Sequence, residues 1–139
     1  MHVNIISDTN RRIPRQQIRW LIESIDEEEA PPDSTVNIIF TRDKEITRLN
    51  RDYRSKRGPT DVLSFNLDSG PGDNSIFGEI YISTDTAARN AHRDGRGFYL
   101  ELLALCCHGY LHLLGYDHEL ESERDRMSAR EKYHLERIA

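Results

Sequence analysis

Three histidines within eleven residues carry the clearest chemical meaning in this sequence. His108, His112 and His118 follow the spacing His-x3-His-x5-His, and they are half of the six histidines in the 139-residue chain. Histidines four positions apart lie on one face of a helix, about 6 Å apart along its axis, so both rings can reach one ion. The spacing is typical of a zinc site in which a helix supplies two ligands and the following turn supplies the third.

A glycine and the lack of an obvious fourth ligand refine this interpretation. Gly115 lies where a helix ends in a left-handed conformation, so the chain can turn and bring His118 back toward the ion. Cys107 is rotated by about 100° around the helix from His108, and Glu101 lies about 10 Å away along the axis. Three imidazoles with one open position are typical of a catalytic site for one zinc ion. The alternative is that the three histidines are unrelated, with His118 merely exposed in a turn.

The same spacing occurs in the metzincin proteases, whose motif is His-Glu-x-x-His-x-x-Gly-x-x-His. Those enzymes use the glutamate that follows the first histidine as a general base. Gly109 occupies that position in this chain. The sequence therefore argues against peptide hydrolysis by the metzincin mechanism.

Periodicity along the chain predicts the elements that must position the histidines. Alternating or β-branched stretches predict strands at residues 2–6, 36–40, 61–67 and 76–83. Apolar residues at helical spacing predict helices at residues 14–29, 43–57, 84–93, 98–114 and 121–138, with Asp43 as the expected cap of the second one. The order β-α-β-α-β-β-α-α-α implies a crossover between the first two strands and permits a hairpin between the last two. We therefore predict a mixed sheet in an α+β fold, formed by a single domain over residues 1–139.

Composition favours a cytoplasmic protein. No apolar run approaches the roughly 18 residues of a membrane span, and no secretory signal is apparent at the N-terminus. The two cysteines, Cys106 and Cys107, are adjacent in an apolar helix and are expected to be small buried residues rather than a disulfide. We expect a reducing compartment and no contact with a membrane.

Charge is distributed unevenly along the chain. The net charge of −5 indicates no general attraction to nucleic acid. Residues 42–57, which we call the basic segment, contain three acids and seven basic residues, Arg42, Lys44, Arg48, Arg51, Arg54, Lys56 and Arg57. Such a stripe suits phosphate binding at one face of the protein. The alternative is a solvated helix face with ion pairs such as Glu45–Arg48.

Two long patterns in register resemble the YbeY family of bacterial endoribonucleases and ribosomal RNA maturation factors. The family pattern His-Gly-x-Leu-His-Leu-x-Gly-Tyr-Asp-His is met in full by residues 108–118. The second pattern is Asn-x-x-Tyr-Arg-x-Lys-Asp-x-Pro-Thr-Asp-Val-Leu-Ser-Phe-Pro, which is met by residues 50–65 except at one position. The resemblance covers about residues 33–120. The departures are Arg57 and Asn66 in the second pattern, and Glu79 in a third pattern, Gly-Asp-Ile, which appears as Gly78-Glu79-Ile80.

The resemblance implies a mixed four-stranded β-sheet packed with about five α-helices and a zinc site in a cleft. It also implies a single-strand-specific, zinc-dependent endoribonuclease in ribosome biogenesis, acting in late maturation of the 16S rRNA 3′ end and in ribosome quality control. The implied partners are small-subunit rRNA, pre-ribosomal particles and ribosomal or ribosome-associated proteins. The sequence leaves the oligomeric state open.

The resemblance also adds a phosphate-binding arginine to the predicted site. Arg54 matches the family's functionally important arginine and would hold a phosphate bidentately, with a structural ion pair as the alternative. Thr60 and Ser64 either donate to substrate or hold the strand, and Asp117 either orients a ligand histidine or caps the turn. The nucleophile is either an activated water or the RNA 2′-hydroxyl. Two other functions stay open, a metal-dependent hydrolase of another substrate and a ribosome assembly factor with a mainly structural zinc.

Overall fold

The structure, a computed structural model, describes residues 2–29, 35–67, 76–116 and 119–138. These residues form four strands and five helices, close to the predicted positions. In chain order the elements are β1 (His2–Ser7), α1 (Arg15–Glu29), β2 (Thr35–Thr41), α2 (Asp43–Arg54), β3 (Val62–Asn66), β4 (Ile76–Ser83), α3 (Thr84–Asp94), α4 (Phe98–Leu113) and α5 (Glu121–Ile138).

The four strands form one mixed sheet with the order β1-β2-β4-β3. β1 pairs with β2 and β2 pairs with β4 in parallel, whereas β3 pairs with β4 in the antiparallel sense. Parallel neighbours require a crossover connection, which α1 supplies between β1 and β2. The predicted mixed sheet is therefore confirmed, and β3 lies at one edge of it.

The two faces of the sheet are covered to different extents. On the first face, fully buried side chains such as Ile38 and Ile80 pack with α1 and α4 in the main core. On the second face, Leu63 of β3 packs with Ile46 and Leu49 of α2 in a smaller cluster. Among the described elements, α2 is the helix that packs on this second face, so part of the face stays open.

Helix α4, which carries two of the three histidines, lies very close to the sheet. A Cβ atom at Gly109 would lie 2.8 Å from Cγ2 of Ile80 and 3.0 Å from Oγ of Ser64. A Cβ atom at Gly78 of β4 would likewise lie 2.8 Å from the terminal methyl groups of Leu113. A side chain at either position would force its neighbours to shift, so the two glycines allow this close approach. Neither α4 nor any other described helix is long and apolar enough to cross a membrane.

The start of α2 differs from the prediction. Asp43 is the first helical residue rather than the cap, and Arg42 at the cap position makes no capping side-chain bond. The Asp43 carboxylate instead accepts hydrogen bonds from Ser83, Thr86 and Arg89 at 2.6 to 2.7 Å. Burial raises the pKa of Asp43, but these hydrogen bonds outweigh burial and hold it below its ordinary value. The network fixes α2 against α3, a long-range contact that helical periodicity does not encode.

We expect Gly109→Ala to lower the free energy of unfolding by about 1 kcal/mol, and by at most about 2 kcal/mol. Overpacking costs about 1–3 kcal/mol, and the roughly 1 kcal/mol that alanine gains over glycine within a helix offsets part of that cost. Urea unfolding followed by circular dichroism measures the change. Gly97→Ala is the control, because a Cβ atom there meets nothing within 4 Å. A Gly109→Ala protein as stable as the wild type would contradict the close packing of α4 on the sheet.

Candidate active site

The two histidines of α4 are held by partners outside the helix. His108 and His112 are one turn apart, and both are partly buried. Nδ1 of His108 lies 2.6 Å from Oε1 of Glu131 on α5, and Nδ1 of His112 lies 3.0 Å from the carbonyl oxygen of Tyr116. Both partners accept hydrogen bonds. Each neutral ring therefore carries its proton on Nδ1 and its lone pair on Nε2.

Metal-ligating histidines are held in this way. A ligand imidazole commonly donates its second ring N–H to a carboxylate or a backbone carbonyl, which fixes the ring and makes the ligand nitrogen more basic. The hydrogen bond with Glu131 is the main cause that raises the pKa of His108, and burial acts in the opposite direction. The anchored Nδ1 leaves Nε2 of each neutral ring to bind zinc, and the raised pKa of His108 means that a proton competes with the metal at that ring.

The other candidate ligands on α4 are engaged elsewhere. Cys106 and Cys107 are buried free thiols in the main core, as the sequence predicts. Burial, with a smaller contribution from Glu131, raises the pKa of Cys107 to about 12, whereas a metal binds the thiolate form of cysteine. Glu101 is also buried, and its carboxylate accepts a hydrogen bond of 2.9 Å from Nε of Arg96. The histidines are thus the groups of α4 best suited to a metal.

The third predicted ligand, His118, lies outside the described residues, and so does Asp117, the predicted partner of a ligand histidine. Within residues 2–29, 35–67, 76–116 and 119–138, no three His, Cys, Asp or Glu side chains are grouped to hold a metal ion. Gly115 has a φ of 106°, the left-handed conformation that the sequence predicts after α4. The turn therefore begins as predicted, and the set of three histidines stays a prediction.

Sequence reasoning missed Glu131 as a partner of His108. The two residues are 23 positions apart, and Glu131 belongs to a helix in which charged residues predominate. The available signal was its spacing from Met127 and His134, which are both buried. Residues three or four positions apart share a helix face, so Glu131 is a carboxylate on the buried face of α5.

A second network positions the carbonyl group that holds His112. The hydroxyl of Tyr116 donates a hydrogen bond of 3.0 Å to Glu29 at the end of α1, and Nε of Arg130 donates one of 2.9 Å to the same carboxylate. Burial raises the pKa of Glu29, but hydrogen bonds from Arg130, His134 and Tyr116 outweigh it and lower the pKa. Both anchors of the histidines therefore depend on α5.

Arg54 is the last residue of α2. The chain then turns, because Ser55 has a left-handed φ of 55° and its N–H group donates to the carbonyl of Arg51. The side-chain amide of Asn50 donates a hydrogen bond of 3.0 Å to the carbonyl of Gly58, which fixes the turn. Arg54 itself is exposed, and it forms no hydrogen bond or ion pair with any residue that the structure describes. The structural ion pair considered as its alternative role is thus not formed within those residues.

The basic segment is neutralised in its middle and cationic at its end. Arg48 pairs with Glu45, and it lies 3.5 Å from Asp52, which Arg51 also contacts at 3.0 Å. The predicted Glu45–Arg48 pair is confirmed, although exposed pairs of this kind contribute little stability. The cations at positions 54, 56 and 57 are exposed and make no ion pair with a described residue. Unpaired positive charge therefore lies where α2 ends, and a smaller share lies at its start, where Arg42 and Lys44 are exposed and make no ion pair with a described residue.

The strand β3 links this cationic end to the histidine helix. Residues 55–61 join α2 to β3, and the Asp61 carboxylate is close enough to His108 to contribute to its raised pKa. The hydroxyl of Ser64 donates a hydrogen bond of 3.1 Å to the carbonyl of Gly109. Ser64 thus holds the strand against α4, which is the structural alternative to a role in substrate binding. Residues 55–61 therefore connect Arg54 to β3, the strand that packs against α4 and its His108.

Comparison with known proteins gives the same family over nearly the whole chain. The family described as Endoribonuclease YbeY matches residues 4–139. An Endoribonuclease YbeY of Geobacter sulfurreducens is 40% identical over 136 residues, which cover 91% of each protein. One of an Anaeromyxobacter species is 44% identical over 99 residues, and the matched part of the chain spans about half, 52%, of that longer relative.

The fold is similar to a solved structure as well. The solution structure of a Thermotoga maritima protein has a TM-score of 0.67 and 31% sequence identity, and the match covers 98% of this chain and 88% of that one. The likeness includes the α+β architecture predicted from the sequence. On the family match and the Geobacter sulfurreducens relative together, the chain belongs to the endoribonuclease YbeY family.

Proposed function

We propose that this protein is a zinc-dependent endoribonuclease that cleaves single-stranded RNA and acts in maturation of small-subunit rRNA. The observation that carries the proposal is the anchoring of His108 by Glu131 and of His112 by the Tyr116 carbonyl, in a chain of the endoribonuclease YbeY family. A ring fixed in this way is prepared for a metal before the metal binds. Ribosomal RNA as the substrate, the 3′ end of 16S rRNA in particular, follows from the family resemblance.

In the proposed site, His108, His112 and His118 hold one zinc ion. Bound zinc supplies a Lewis acid for a phosphoryl oxygen and lowers the pKa of water to about 7. Glu131 and the Tyr116 carbonyl keep the rings of the two helical histidines in place. Gly109 leaves no general base at the position that a metzincin protease uses, which favours a phosphodiester over a peptide as substrate.

Arg54 completes the proposed site as the phosphate-binding group. Its guanidinium is exposed and makes no ion pair with the described residues, so binding a phosphate breaks no such contact. A guanidinium forms two parallel hydrogen bonds to phosphate oxygens and stabilises charge that develops on them. The cations at positions 56 and 57 extend the same surface toward neighbouring phosphates of the strand.

We expect Glu131→Ala to weaken zinc binding about 10-fold to 100-fold, because loss of the partner of a ligand histidine has effects of that size. Competition with a chromophoric chelator measures the affinity. Glu136→Ala, which removes an exposed carboxylate from the same helix, should bind zinc like the wild type. Removal of a ligand in His112→Ala should have the largest effect. Zinc binding of wild-type strength in His112→Ala would overturn the proposed ligand set.

We expect Arg54→Glu to reduce kcat/KM for cleavage of a labelled single-stranded rRNA fragment by about 100-fold or more, the usual cost of losing a donor that stabilises transition-state charge. Arg11→Glu is the matched control for the change in charge. Arg11 lies over the ring of Phe98 at the start of α4, ten residues and about 15 Å along the helix axis from His108.

Two results, one from this assay and one from a parallel digestion of casein, would argue against the proposal. Equal loss of cleavage in Arg54→Glu and Arg11→Glu would show that overall charge, rather than a phosphate contact at Arg54, controls the rate. Zinc-loaded wild-type protein that leaves RNA intact but digests casein would replace the nuclease with a hydrolase of another substrate.

A further inference from the structure

A cavity of about 330 Å³ lies on the second, partly open face of the sheet. Its size is within the roughly 300–1,000 Å³ that small ligands occupy in proteins. The cavity is closed on one side by α2 and on the other by the edge strand β3 and its neighbour β4. The lining residues that matter here are Tyr53 of α2, Phe65 of β3, and Glu79 and Tyr81 of β4.

Aromatic rings form the walls of the cavity. The rings of Tyr53 and Phe65 meet edge to face with centroids 5.5 Å apart, and those of Phe65 and Tyr81 meet with centroids 5.8 Å apart. Tyr53 is 68% exposed, although a large ring usually gains by burial. An exposed ring beside other aromatic rings is a platform on which a nucleobase stacks.

A carboxylate is held rigidly within the aromatic walls. Asn4, Asn37 and Glu79 are paired in register across β1, β2 and β4. The Asn4 side chain donates to that of Asn37 at 3.0 Å, and Asn37 donates to Oε2 of Glu79 at 3.3 Å. The Tyr81 hydroxyl donates to Oε1 of Glu79 at 3.2 Å. Both oxygens are therefore fixed in position, and each has a further lone pair that can accept a hydrogen bond.

This chemistry selects one base among the four. A fixed carboxylate pairs best with two N–H donors that lie side by side, and guanine presents N1–H and the 2-amino group on one edge. Adenine and cytosine present a donor beside an acceptor there, and uracil presents a donor between two acceptors. Proteins that recognise single-stranded RNA read these edges while they stack the base on a ring.

The surrounding charge favours a nucleotide over a cationic side chain. Aromatic rings around a carboxylate also suit an arginine or lysine of a protein partner. Arg54, however, follows Tyr53 directly, and the exposed cations at positions 56 and 57 stand at the same end of α2. They attract the phosphates on either side of a bound base and repel a basic peptide.

We propose that this cavity, the guanine pocket, binds a guanine base of the RNA strand and gives the enzyme a base preference close to the cleaved bond. The inference rests on the proposed function for its substrate, RNA. Consecutive residues of a strand face opposite sides. Phe65 therefore lines the pocket while its neighbour Ser64 bonds to α4, so one edge strand separates the base from the histidine helix.

The test measures binding without cleavage. Fluorescein-labelled 2′-O-methyl RNA pentamers, alike except for a central guanosine, inosine, adenosine, cytidine or uridine, are titrated with zinc-loaded protein and followed by anisotropy. Gel electrophoresis confirms that the pentamers stay intact. The guanosine pentamer should bind about tenfold more tightly than the adenosine pentamer, as a bidentate base contact implies. Inosine, which lacks the 2-amino group, should fall between them.

Variants separate stacking from edge recognition. Glu79→Gln should abolish the preference for guanosine, and Tyr53→Leu should weaken all five pentamers by about fivefold or more. Tyr53→Phe keeps the ring and should bind normally. Tyr99→Leu removes another exposed tyrosine, on α4, and is the matched control. Because Tyr53 is exposed, Tyr53→Leu should fold even if thermal melting shows that Glu79→Gln is destabilised.

The outcomes distinguish the pocket from the proposed function. Equal affinity for all five pentamers, or equal behaviour of Tyr53→Leu and Tyr99→Leu, would overturn the guanine pocket even if RNA is cleaved. Displacement of the guanosine pentamer by micromolar acetyl-arginine amide would also overturn it, in favour of a basic peptide as ligand. Selective binding of guanosine by a protein that cleaves no RNA would uphold the pocket and reject the nuclease.

Discussion

The close contact between α4 and the sheet at Gly109 is the constraint on which the rest of this structure depends. The missing side chain brings the helix axis near Ile80 and Ser64, and the Ser64 hydroxyl binds the Gly109 carbonyl at 3.1 Å. His108 stands beside this contact, and His112 lies one turn further along. The contact therefore fixes the distance of both rings from the edge strand β3. Gly109 therefore has two consequences. It leaves no glutamate where a metzincin protease has its general base, and it lets α4 pack closely on the sheet.

Helices α5 and α1 hold the two histidines of α4 in position. α5 packs beside α4 and supplies Glu131 to His108, while Arg130 of the same helix holds the Glu29 carboxylate that binds the Tyr116 hydroxyl. The carbonyl of Tyr116 in turn holds His112. Charged groups that would be costly to bury alone are thus paired around the two rings. The second face of the sheet has less cover, and that difference leaves space for the cavity beside β3.

The local features of this protein could be predicted from its sequence, and the long-range contacts could not. Strand alternation and helical spacing report which face of an element is apolar, and they predicted the mixed sheet and the limits of α4 to within a residue or two. The left-handed conformation of Gly115 also follows from local chemistry, because glycine adopts it at little cost.

Contacts between distant elements depend on packing that no local pattern contains. Asp43 was predicted as a cap, but it binds Ser83, Thr86 and Arg89 from β4 and α3. His108 is held by Glu131, which lies on another helix and 23 positions away in the sequence. The row of Asn4, Asn37 and Glu79 appears only once the strand order and register are known.

X-ray absorption spectroscopy at the zinc edge, on protein loaded with one equivalent of zinc, tests the central claim most directly. The proposed site predicts a first shell of three imidazole nitrogens and one further oxygen or nitrogen, all at about 2.0–2.2 Å, with the outer-shell scattering of histidine rings. A sulfur at about 2.3 Å would assign the metal to the cysteines. That result, or a shell with fewer than three imidazoles, would contradict the account.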